Sequence, residues 1–132
     1  MANTKPKDKL LTDAHFAAFT RYVHKWQERL NLMDWRIVVS CKPARSTVMA
    51  EVYSIDLEAR QAAIRVSRNW GINGDTSPAG LEDVALHEVL HVLVHEFKQF
   101  AGEDTVGADM MSAEHRVIQV LVCNLLGKKH GR

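Results

Sequence analysis

Between Asp13 and Leu30 the apolar residues Phe16, Phe19, Val23, Trp26 and Leu30 recur at alternating steps of three and four, with Arg21, Lys25, Glu28 and Arg29 among the residues between them. A 3.6-residue turn stacks such positions on one face, so this stretch predicts an amphipathic helix, with Thr12 as its N-cap. The period then changes to two. Trp35 to Lys42 (WRIVVSCK) sets Trp35, Ile37, Val39 and Cys41 on one side of a strand, and Pro43 ends it. Val48 to Asp56 and Gln61 to Arg68 carry the same alternation, the latter with Ala62, Ile64 and Val66 on one side. The polar stretch between these two predicts a hairpin.

An irregular, glycine-containing segment (NWGINGDTSPAG) follows, until Ser77 and Pro78 supply an N-cap and a first-turn proline. A second helix is expected from there to about Ala101, apolar nearly all round and therefore buried, with Glu82 and Asp83 near its positive end. Gly102 to Gly107 breaks the pattern, and Asp109 to about Leu126 predicts a third helix rich in Val, Leu and Ile. The order is α-β-β-β-α-α, an α+β arrangement.

At 132 residues the chain is one domain's worth, long enough to bury a core without disulfide or metal staples. Residues 1–9 and 127–132 read as polar tails, leaving a single domain across 1–132. With 46% hydrophobic and 25% charged residues the composition is that of a folded globule. The 17 basic and 16 acidic residues nearly cancel, which gives no strong nucleic-acid signal. Cys41 and Cys123 lie in apolar stretches without a CxxC pattern and read as reduced, buried thiols. Neither a secretory leader nor a membrane span is visible, so a cytoplasmic protein without membrane partners is the expectation. Oligomeric state is not legible.

The chemistry lies in the second helix, where His87-Glu88-Val89-Leu90-His91 forms an HExxH motif. At about 100° per residue, His87 and His91 stand about 40° apart around the axis and one turn apart along it, so both imidazoles reach one tetrahedral ion. Glu88, about 100° from His87, sits beside such an ion, where a carboxylate can take a proton from an attacking water and return it to a leaving amine. A catalytic zinc site usually has three protein ligands. On the third helix, Met110, Val117, Ile118, Leu121 and Leu125 all fall within about 60° of Glu114, which places this carboxylate mid-stripe on the buried face. A charge there must be neutralised, paired with a cation, or bound to the metal. His115 falls at the edge of the stripe and suits a supporting role better than ligation. His95, a further turn along, is expected on the cleft wall, and Asp109 as a helix-start carboxylate.

His87, Glu88, His91 and Glu114 resemble the constellation of the zincin metallopeptidases, and among them the gluzincins, in which a glutamate from a following helix completes HExxH. The short chain is similar to minimal single-domain gluzincins of phage and prophage type. The resemblance implies a zincin-like α+β fold with a small, mostly antiparallel sheet packed on the HExxH helix. It implies one Zn2+ ion held by His87, His91 and Glu114, and a hydrolase acting on a protein or peptide substrate with Glu88 as general base. It also implies that the strand before the HExxH helix, Gln61 to Arg68, takes up an extended substrate, with Tyr53, His95, His115 and Arg116 as candidate oxyanion stabilisers. The metzincin pattern is absent, since Val94 and Phe97 stand where it needs glycine and histidine. Two alternatives stay open: an SprT-like zinc protease with His115 as third ligand, and a non-catalytic zincin-fold binding or regulatory protein.

Overall fold

The computed structural model describes residues 6–42, 48–100 and 108–127. The break expected at 102–107 and the terminal stretches 1–5 and 128–132 lie outside them. Among the described residues the chain is α+β, with α1 (Asp13–Arg29), β1 (Arg36–Ser40), β2 (Ala50–Asp56), β3 (Gln61–Val66), α2 (Pro78–Phe100) and α3 (Ala108–Leu125). The first of the expected tails is partly tied down. Lys9 donates its backbone N–H to Gly71 and accepts from Trp70, and Leu10 forms a β-bridge with Asn69.

Thr12 caps α1 as its sequence position suggests, accepting from the backbone of His15, while the His15 ring accepts from the Thr12 N–H. The buried face of α1 is Phe19, Val23 and Trp26, joined by Gln27, whose amide donates to the carbonyls of Leu32 and Trp35 and thereby ties the helix exit to β1. Ser77 opens α2, its hydroxyl accepting from Gly80 and its carbonyl from Leu81. Glu82 does not serve the helix dipole, since the first turn holds no acidic residue. It accepts instead from Lys25 at 2.6 Å and from the Trp26 indole at 2.7 Å, pinning α1 to α2.

The sheet has the order β1-β3-β2, with β1 parallel and β2 antiparallel to β3. It is therefore mixed, not mostly antiparallel. The expected hairpin between β2 and β3 is present, closed by Leu57 to Arg60 with Arg60 in the left-handed region at φ 55°. β3 thus lies between β1 and β2, so that the second strand of the hairpin, not the first, is the neighbour of β1. A bulge at Val52/Ser54 leaves Tyr53 as the extra residue on β2.

The core lies between the inner sheet face (Ile37, Ala62, Ile64 and Val66) and the helices. Leu81, Ala85, Leu86, Val89, Leu90 and Val92 of α2 are buried, so the HExxH helix is the central helix of the fold. It is not wrapped all round, because Leu93 is exposed. The buried face of α3 is centred on Ile118 and Val122, which turns Val117, about 100° away from Ile118, out to solvent. Cys41 and Cys123 are free thiols, half-buried instead of fully enclosed. Among the described residues no helix is long and apolar enough to cross a membrane.

Candidate metal centre

Because α2 is anchored through Leu86, Val89 and Leu90, the intervening residues of the motif have fixed directions. His87 and His91 turn toward α3, and their Nε2 atoms approach to 3.2 Å. Glu88 turns toward β2. It is 5% exposed and is hydrogen-bonded by the backbone of Val52.

The third histidine comes from α3. One ring nitrogen from each of His87, His91 and His115 lies within 4.8 Å of the others. The His115 ring is stacked near His87 and set edge-on to His91, with centroids 6.0 and 5.2 Å away. Glu114, expected as the third ligand, stands elsewhere: its Oε2 accepts from Nδ1 of His91 at 2.9 Å and its Oε1 from Nζ of Lys98 at 3.1 Å. Of the three fates open to a carboxylate on that face, the described structure shows pairing with a cation. His115, expected in a supporting role, takes the place beside the two motif histidines. Depth of burial on the helix wheel does not report this proximity, because a side chain at the edge of a stripe can still face a neighbouring helix.

The site opens onto a cavity of about 510 Å³. One wall is Val48 with Ala50, Glu51, Val52 and Ile55 of β2; the others are α2, extended by His95 and Lys98, and α3, through Met111. His95 thus stands on the cleft wall as expected, its Nε2 in contact with Gln99 at 3.2 Å. Tyr53 and Arg116 are not among the lining residues. Tyr53 instead carries the Arg65 guanidinium 3.8 Å over its ring. The strand lining the cavity is the edge strand β2. β3, expected to receive substrate, is central and paired on both sides. Lys98 was not singled out in the sequence, though it lies seven residues after His91 and so about 20° from it on the helix wheel. The side chain of Asp109 lies outside the described residues.

Burial decides the ionisation of the cluster. It holds His87 down at about 4, with the neighbouring His91 and His115 acting in the same direction. His91 is lowered by burial too, against the opposing pull of Glu114. Both imidazoles are therefore neutral at pH 7, the form that binds metals. It follows that the close His91–Glu114 contact is a hydrogen bond from a neutral ring to a carboxylate. Burial acts to raise Glu114, but the bonds from His91 and Lys98 outweigh it and leave the carboxyl below its usual range. Glu88 is pushed the other way, to about 8, by burial and secondarily by Glu51, against the Val52 hydrogen bond.

The donor set fits a zinc ion. At zinc–nitrogen distances of about 2.05 Å, tetrahedral geometry places two ligand nitrogens about 3.3 Å apart, close to the 3.2 Å between the motif histidines. A ring nitrogen of His115 lies within 4.8 Å of both, on the side lined by the cavity.

No family model, curated protein or solved structure matches this chain. The functional reading therefore stands on the site itself.

Proposed function

We propose that the chain is a zinc-dependent peptidase in which His87, His91 and His115 hold one ion and Glu88 is the general base. The observation that carries the reading is the convergence of three imidazoles beside a buried carboxyl, at the floor of a cavity flanked by an edge strand. A zinc ion held there would polarise a peptide carbonyl and activate water as the nucleophile.

The remaining steps belong to the chain. β2 is the edge strand beside the cavity among the described residues, so an extended peptide could pair along it and lie across the cavity. Glu88 accepts the proton of the attacking water on its carboxylate and delivers it to the leaving amine nitrogen. Its position against β2 puts this proton carrier on the side where the peptide would lie. A carboxyl held near 8 in the metal-free protein would be lowered by a nearby cation, toward the range where it can cycle at neutral pH. With His115 as third ligand, the resemblance moves from the gluzincin pattern to the SprT-like one.

The ligand assignment is tested by zinc stoichiometry and affinity in purified variants. His115→Ala should lose zinc, whereas Glu114→Ala should weaken but retain it; the opposite order would restore Glu114 as ligand. Catalysis is tested by incubating the zinc-loaded chain with a panel of unfolded proteins. Cleavage absent in Glu88→Ala supports the peptidase, and zinc binding without cleavage would make this a binding module on the same fold.

A further inference from the structure

We infer that Lys98 and Glu114 form a polar clamp that sets the ring of His91 and holds the His115-bearing part of α3 against α2. The inference rests on the zinc reading above and assigns both as positioning residues for that site.

Both oxygens of Glu114 are engaged on α2, one by His91 Nδ1 at 2.9 Å and the other by Lys98 Nζ at 3.1 Å. A carboxylate can only accept, so the 2.9 Å contact puts a ring proton on Nδ1. That choice leaves the lone pair of Nε2 directed at His87 and the proposed ion, the arrangement in which a carboxylate behind a histidine orients it as a ligand. Lys98 supplies the second half of the device. Its ammonium compensates the charge of a side chain that is only 12% exposed, so the carboxylate can stay ionised and keep its place.

Among the described side chains of α3, the clamp also occupies the part before the buried Ile118. From Met111 to Ala113 and from His115 to Val117 the side chains are exposed, and Ile118 is the first fully buried one. Between residues 111 and 117, Glu114 alone turns deeply into the protein, and it precedes His115 directly. One group therefore governs two ligands: it orients His91 by a direct bond and fixes His115 by anchoring the turn that carries it.

The full chain, 15N-labelled and metal-free at pH 7.5, gives the first readout. Long-range proton–nitrogen spectra should show His91 as the Nδ1–H tautomer in the wild type and in His115→Ala, and a shift toward Nε2–H in Glu114→Ala. The second readout is zinc affinity by competition with a chromophoric chelator. Lys98→Met should weaken zinc about tenfold and Glu114→Ala about 10- to 100-fold, with Lys98→Arg recovering most of the affinity. Far-UV circular dichroism checks that helix content is unchanged. If Glu114→Ala does not fold, the wild-type tautomer and the two Lys98 variants still decide. An Nε2–H wild-type ring, or Lys98→Met binding zinc as tightly as wild type, overturns the clamp. A wild-type chain with the Nδ1–H ring but no zinc affinity would instead overturn the metal reading.

Discussion

Glu88 is a buried carboxyl, proposed above as the proton carrier, and replacing it with glutamine should make the metal-free protein more stable at neutral and alkaline pH. The side chain is 5% exposed, and its folded value of about 8 compares with an ordinary 4.5. Below 4.5 both folded and unfolded chains hold the proton, and the full stability is present. Between 4.5 and 8 the unfolded chain has released it while the folded one retains it, so stability falls as pH rises, by about 1.4 kcal/mol per unit. By pH 7 the accumulated loss is about 3 kcal/mol, and beyond 8 it reaches a plateau. Burial of His87 and His91 produces the opposite slope, stability falling as pH drops from 6.5 toward their lowered values. That effect is present in both chains and cancels in the difference. Urea unfolding of wild type and Glu88→Gln with a chelator present, followed by circular dichroism from pH 5 to 9, measures it. The advantage of the variant should grow through this range and level off near pH 8. A difference independent of pH would refute the buried-acid account of this residue, and with it the physical basis for its role as proton carrier.

Three further expectations concern the scaffold that holds the site. Gln27→Met removes two buried donor contacts, to Leu32 and Trp35, and should cost about 1–3 kcal/mol in chemical denaturation. Gly80→Ala would bring a Cβ to 2.0 Å from the Asp75 carbonyl oxygen, so it should lower the melting temperature by forcing the start of α2 to shift. Glu82 feels burial, which acts to raise it, but the bonds from Lys25 and Trp26 leave it lowered. Its contribution is present above about 4.5 and lost as pH falls through the folded value, so Glu82→Gln should be less stable at pH 7 by about 1–2 kcal/mol and no less stable at strongly acid pH.

Much of the fold was legible because its helices and strands have one dry face each. The steps of three and four through Phe19, Val23 and Trp26, and the alternation of Ala62, Ile64 and Val66, report burial that is set locally by backbone period. The caps at Thr12 and Ser77 were legible for the same reason: they act within three residues of themselves. His87 and His91 belong to this class, since one helical turn fixes their spacing.

The sequence by itself determined which segments are helical or extended, and that two imidazoles with an adjacent carboxylate share one helix. Tertiary structure decided the rest. That β3 lies between β1 and β2, making β2 the edge beside the cavity, is a matter of which strands pair, which no local period encodes. That His115 stands beside the two motif histidines while Glu114 meets His91 and Lys98 depends on the rotation of α3 about Ile118 and Val122 and on Lys98 waiting across the gap. Adjacent residues on a helix point about 100° apart, so a modest rotation decides which of them joins the His87–His91 pair and which meets the far side of the His91 ring.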